Sequence, residues 1–110
     1  MAHKLRGKTA VVGVGHAGMG EAPGRTALEI LAEAVHGALA DGGLSLADVD
    51  GLFTGTSQHF MPTLSVAEYL GIHPKFQDGT MVGGSSFVGH VLNATLALEA
   101  GLCDVALICY

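Results

Sequence analysis

The densest chemistry in this chain of 110 residues lies at Thr80-Met81-Val82-Gly83-Gly84-Ser85-Ser86-Phe87. A β-prone run there meets two glycines and then two serines able to open a helix, an order that lifts groups off a sheet edge and aims the positive end of a helix dipole at them. Free amides and hydroxyls in such a turn can bind a negative oxygen, and the same field would lower the pKa of a thiol. The plainer reading is that Ser85 and Ser86 only cap the helix. A hydrolase elbow of the form GxSxG requires glycine two places after the nucleophile; for Ser85 that place is Phe87, and no acid-base partner accompanies it. His90 stands one helical turn after Ser86, so both can face one cleft, although an isolated histidine on an apolar helix usually packs as a core residue. The catalytic candidates are therefore Gly84, Ser85, Ser86 and His90. His59, in a polar stretch, is a weaker one that either contacts substrate or is simply solvated.

Gly13-Val14-Gly15-His16-Ala17-Gly18 matches GxGxxG directly after a β-prone run, as a pyrophosphate cradle would. Pro23 and Gly24 intervene before any helix starts, and no acidic residue closes the next strand to hold a ribose hydroxyl, so a glycine-rich turn competes with a nucleotide site. Histidines at 3, 16, 36, 59, 73 and 90 never fall at metal-ligand spacing, and no metal is expected. Cys103 and Cys109 form neither a CxxC pair nor a disulfide framework and are read as buried, reduced thiols.

These groups need a scaffold, and the pattern supplies one. Thr9 to Val14 reads as a first buried strand. Thr26-Ala27-Leu28-Glu29 is a capping box opening a helix whose Leu28, Leu31, Ala32, Val35 and Leu39 form one stripe, stopped by Gly42-Gly43. Ser45 to Asp48 caps a single turn before a second strand, Val49 to Thr54. After a loop through Pro62 come a short helix, Leu64 to Leu70, and a third strand, Phe76 to Val82. Ser85 to Ala100 reads as a helix apolar nearly all round, hence buried on most sides, and Val105 to Tyr110 as a central strand. Alternating strands and helices predict α/β, a mostly parallel sheet covered by helices, with ligands gathering at the carboxyl ends of the strands near Gly15, Gly55 and Gly83.

Apolar residues make up 49% and charged residues 14%, so the chain reads as one domain that is part of something larger, the more so because it closes on a strand with no covering helix. A net charge of -5 and no basic run exclude a phosphate-backbone binder. No run of eighteen apolar residues and no export signal are present, which predicts a cytoplasmic protein without a membrane span.

Three phrases in this order, TAVVGVGHAG, LADGGLSLADVDGLFTG and GTMVGGSSFVGHVLNATLALEAGLCDVALI, resemble the amino-terminal half of the thiolase superfamily across nearly the whole chain. The small-residue turn before the long helix, and the ending Leu98 to Gly101, are most similar to the lipid-transfer-protein thiolase branch. The resemblance implies a βαβαβαβ segment over residues 1–110. Thiolases carry Cys-x-Ser-Gly in this turn and a helix-ending glycine seventeen residues after the cysteine; counted back from Gly101, the nucleophile's place is Gly84, Ser86 matches the motif serine, and Phe87 replaces its glycine.

Thiolase-like proteins without that cysteine resemble retro-aldolases acting on coenzyme A thioesters beside an OB-fold partner, as in steroid side-chain degradation. By that resemblance the substrate is an acyl-CoA, no cofactor is bound, and Ser85, Ser86 and the helix amides hold a thioester or enolate oxygen without a covalent intermediate. It also implies a homodimer formed through Phe76 to Val82, and an active site completed by a second half that these residues lack. Two other readings stay open: a non-catalytic scaffold subunit, and a Rossmann-type nucleotide-binding domain.

Overall fold

The computed structural model describes residues 4–110. Its elements run α1 (Ala27–Gly42), a 3-10 turn (Leu46–Asp48), β1 (Gly51–Thr54), α2 (Pro62–Leu70), β2 (Phe76–Asp78), α3 (Ser86–Glu99) and β3 (Ala106–Cys109). The Thr26 hydroxyl accepts from the Glu29 amide at 3.1 Å and starts α1. Gly43, at φ 68, ends it and lets the Leu44 amide reach back to the Leu39 carbonyl at 2.9 Å. The Asp48 carboxylate closes the 3-10 turn by accepting from the amide and hydroxyl of Ser45.

The three strands form a parallel sheet in the order β2-β1-β3. Gly51, Leu52 and Phe53 pair with Phe76, Gln77 and Asp78 on one side, and Gly51 to Thr54 pair with Ala106 to Cys109 on the other. One residue sets both registers. Asp50 accepts through its carbonyl from the Lys75 and Phe76 amides, and through its carboxylate from the Asp104 and Val105 amides at 2.8–3.0 Å. Both neighbouring strands are thus tied to the residue that precedes β1.

Period-two alternation splits β1 between two cores. Leu52 faces α1 and α2, packing with Leu31, Val35, Leu39, Val66, Leu70 and Leu107. Phe53 faces α3, with Ala94, Ala97 and Cys103. All four residues of β1 are buried, as a central parallel strand requires.

The parallel α/β architecture matches expectation, and five elements differ in detail. Thr9 to Val14 forms no strand: Val11, Val12 and Val14 are 61–76% exposed, and β1 pairs directly with β3. Instead the segment lies along α1, because Gly13 and Gly15 present no side chain; a Cβ on either would collide with the Ala38 or Ala34 carbonyl. The third strand stops at Asp78, since Met81 and Val82 are exposed and unpaired. The last strand is an edge rather than a central strand, and its residues are mostly half-buried. Finally, α3 buries only the stripe Ser86, His90, Ala94 and Ala97, leaving Val88, Val91, Leu92 and Leu96 on an open face. Helix α2 begins earlier than the pattern suggests, at Pro62, which suits a first helical position, after Met61 in the left-handed region at φ 53. No helix among the described residues is long and apolar enough to cross a membrane.

Candidate functional site

The carboxyl ends of β1 and β2 are drawn together by two glycines. A Cβ on Gly79 would lie 2.5 Å from the Thr54 carbonyl, and one on Gly55 would lie 2.9 Å from the Thr80 carbonyl. The chain leaving β2 is therefore pressed against the end of β1 before it turns into α3. Gly83, at φ 105, makes the turn, a conformation that strains any side-chain-bearing residue.

Two buried polar side chains on α3, four residues apart as the sequence spacing anticipates, grip this incoming stretch. The Ser86 hydroxyl accepts from the Val82 amide at 2.8 Å and donates to the Gly83 carbonyl at 2.7 Å; it is fully buried. Its only proton is thereby committed, so Ser86 shapes the turn and has no donor left for a ligand. One turn further along, His90 is also fully buried, between Phe53 (ring centroids 6.4 Å) and the edge of Phe87 (5.4 Å). Its Nε2 lies 3.1 Å from the Thr80 hydroxyl, 3.2 Å from the Thr80 carbonyl and 3.4 Å from the Thr80 amide nitrogen, whereas Nδ1 has no partner. Thr80 carries no obvious motif signal and was absent from the sequence candidates.

Gly84 and Ser85 face outward. Both are exposed, Gly84 is outside the left-handed region, and a Cβ built there meets nothing within 4 Å. Ser85 occupies the N-cap place of α3, but its side chain caps nothing; its carbonyl accepts from the Val88 and Gly89 amides. The Ser86 amide bonds to the Gly83 carbonyl, leaving the amides of Gly84, Ser85 and Phe87 without an acceptor among the described residues. Those three donors, the Ser85 hydroxyl and the helix dipole make up what the turn offers to an anionic oxygen. Among the described residues two open, shallow grooves lie elsewhere: about 470 Å³ between α2 and β2, lined by Leu64, Ile72, His73 and Gln77, and about 630 Å³ on the open face of α3, lined by Leu5, Arg6, Val88 and Leu92.

The remaining candidates sort themselves by packing. The GxGxxG glycines opened no phosphate cradle: Gly13 and Gly15 touch the α1 backbone, and Gly18, at φ 62, lies against Ile30. His59 is half-buried, and its Nε2 is sealed from water without a hydrogen-bond partner, a different state from the solvated loop residue expected. Burial raises the Cys103 thiol pKa, helped by the carboxylates of Asp50 and Asp104. Burial pushes Cys109 up to about 12, with the Thr54 hydroxyl pulling weakly the other way. Thr54 Oγ1 is buried without a hydrogen-bond partner among the described residues. Neither cysteine is a ready nucleophile. No three His, Cys, Asp or Glu side chains are grouped as metal ligands among the described residues, outside which His3 lies.

No protein-family model matches the chain. It is similar to the steroid side-chain-cleaving aldolase of Thermomonospora curvata, with 36% identity over 107 residues, 96% of this chain and 27% of that protein. It is likewise similar to the 17-hydroxy-3-oxo-4-pregnene-20-carboxyl-CoA lyase of Mycobacterium tuberculosis, with 39% identity over 102 residues, 92% of this chain and 26% of that one. Among solved structures it superposes on the Ltp2-ChsH2(DUF35) aldolase with a TM-score of 0.77 and 35% identity, covering 88% of this chain and 25% of the other. A monomeric SCP2-thiolase like protein type 1 from Mycobacterium smegmatis gives a TM-score of 0.66 at 25% identity, with 86% of this chain and 21% of the other covered. The chain thus spans about a quarter of the length of the curated relatives it matches. In fold and in sequence the chain is thus similar to a part, about a quarter, of the thiolase-like Ltp2-type aldolases and SCP2-thiolase-like proteins.

Proposed function

We propose that the protein carrying this chain breaks, by retro-aldol cleavage, a carbon-carbon bond next to a coenzyme A thioester, and that the turn Gly83–Ser86 receives the thioester oxygen. The observation that supports this most is the outward-facing turn at Gly84, with the Gly84, Ser85 and Phe87 amides unclaimed at the start of a fourteen-residue helix. In such a cleavage a base outside these residues removes the proton of a β-hydroxyl. The Cα–Cβ bond then breaks, a carbonyl forms on the departing fragment, and the electron pair moves through Cα onto the thioester oxygen as an enolate. Fixed amide donors stabilise that charge as it develops, each contributing on the order of 3 kcal/mol where such donors have been removed from other enzymes. No thiol stands at position 84, so no acyl-enzyme forms there. Ser85 is the exposed hydroxyl of the turn and adds a fourth donor.

The names of the relatives support a steroid acyl chain, and the DUF35 subunit of one solved relative supports a partner of that kind, the OB-fold protein of the sequence reading. Pairing of two copies along the outer edge of β2 has less behind it, since that strand has three residues and one solved relative is monomeric. The nucleotide-binding reading has lost its motive, because the three glycines that raised it serve packing on α1.

Incubating the intact protein and its DUF35-type partner with a β-hydroxyacyl-CoA tests the proposal. Release of a shortened acyl-CoA and a ketone or aldehyde, with no acyl mass on Ser85 or Ser86, is the expected result; an acylated serine defeats the mechanism. A scaffold subunit would bind no acyl-CoA at all, even with the partner present.

A further inference from the structure

We infer that His90 is a positioning residue for the turn at Gly83–Ser86, acting through Thr80 and by hydrogen bonding alone, without proton transfer. The inference rests on the oxygen-binding role just proposed for that turn. His90 is fully buried, and its ring packs against Phe53, tilted at 44°, and Phe87, nearly perpendicular at 88°. Every polar contact it makes goes from Nε2 to one residue, Thr80, whose hydroxyl, carbonyl and amide nitrogen lie 3.1, 3.2 and 3.4 Å away. Nδ1 is buried without a hydrogen-bond partner.

We assign the proton to Nε2. The two shortest contacts are to oxygens, one of them a carbonyl that can only accept; the Thr80 amide, placed to donate to Nε2 at 3.4 Å, is the longest of the three and is the contact given up, while a bare Nδ1 lone pair in an apolar site costs less than an unpaired N–H. A ring in this state has no second polar neighbour to pass a proton to, whereas it can hold Thr80 firmly. Thr80 lies two residues before Val82, whose amide Ser86 grips from the same helix face. The two clamps, four residues apart on α3, fix both ends of the stretch 80–83 and so set where the Gly84 and Ser85 amides point.

Glutamine can place an amide nitrogen near the position of Nε2 and donate to the same carbonyl, but it cannot shuttle protons at neutral pH; leucine fills the space and donates nothing. In the intact protein with its partner, His90→Gln is expected to keep kcat within about threefold of wild type. His90→Leu and Thr80→Val should lower kcat at least tenfold, with KM changed far less, and should speed amide hydrogen exchange at Val82 to Phe87. A folded His90→Gln variant as slow as His90→Leu would overturn the inference in favour of proton transfer, and so would exchange unchanged in both His90→Leu and Thr80→Val. Should wild type cleave no acyl-CoA, the reading of the turn fails separately. The exchange rates and the nitrogen shifts of His90, which must report an Nε2–H tautomer, then still decide whether it positions the turn.

Discussion

A side chain at position 84 has free space and an ordinary backbone conformation, so restoring a thiol there is a clean probe of the electric field at the turn. The Gly84→Cys variant should keep its stability to within about 1 kcal/mol. Its new thiol should react with iodoacetamide at pH 7.5 at least about tenfold faster than Cys103 or Cys109, because it sits exposed at a helix start while both native thiols have raised pKa values. Mass spectrometry of timed alkylation checks this; equal rates at the three sites would mean that the turn lowers no pKa. Cys109 also makes a pH prediction with a definite sign. Its proton is held to about 12 in the folded chain against an ordinary 9.0, so the stability it contributes is fully present below pH 9 and is lost as pH rises from 9 towards 12. Denaturant unfolding at pH 8.5 and 10.5 should show a loss of up to about 1 kcal/mol per pH unit that shrinks in Cys109→Val. At this scale the glycine-serine turn and the Ser86/His90 spacing were legible from residue types. Which serine turns inward was not, nor that Thr80 is the partner of His90, since those depend on how α3 is rotated over the sheet.

Between elements, two contacts that pattern alone does not announce do much of the positioning. Asp50 ties β2 and β3 to β1 through its carbonyl and carboxylate, yet in sequence it is a lone acidic residue near the start of the run Val49 to Thr54, with nothing to mark its role. Replacing it with Ala leaves the Asp104 and Val105 amides unpaired, at a cost of about 1–3 kcal/mol. Hydrogen exchange should then rise selectively in Ala106 to Cys109; uniform protection would refute the assignment. The glycines of the amino-terminal segment offer the second test. The Thr9 to Val14 run has the composition of a strand, but Gly13 and Gly15 allow it to lie directly on α1 near Ala34, Ala38 and Gly42. That backbone approach competes with strand pairing and cannot be seen in side-chain periodicity. Gly15→Ala should detach the segment and uncover Ala34 and Ala38, lowering the melting temperature by several degrees and making residues 12–18 sensitive to protease. Helices α1 and α2, by contrast, were legible because their caps and stripes are local: Thr26, Gly43 and Gly71 act on the residues beside them.

Across the molecule, the surplus of apolar residues has a location. The described residues bury one core on each face of a three-stranded sheet, and much of the exposed aliphatic surface lies in two places, the amino-terminal segment with Val11, Val12 and Val14, and α3, where Val88 is 76% and Leu92 56% exposed. A helix apolar all round signals burial, but periodicity does not say what buries it; within these residues only the Ser86-His90-Ala94-Ala97 stripe finds a partner. At roughly 25 cal/mol per Å2 of apolar surface, a face of this kind favours association over staying wet. The isolated chain of 110 residues should therefore self-associate as concentration rises and bind a hydrophobic-surface dye. Val88→Gln with Leu92→Gln should suppress both effects while leaving the unfolding transition within about 1 kcal/mol, because neither side chain belongs to either core. Light scattering from 10 to 500 µM, a span chosen to cover ordinary hydrophobic association, separates the outcomes. If wild type and double variant scatter alike, the open α3 face is not the sticky surface, and the exposed Val11, Val12 and Val14 of the amino-terminal segment become the next place to substitute.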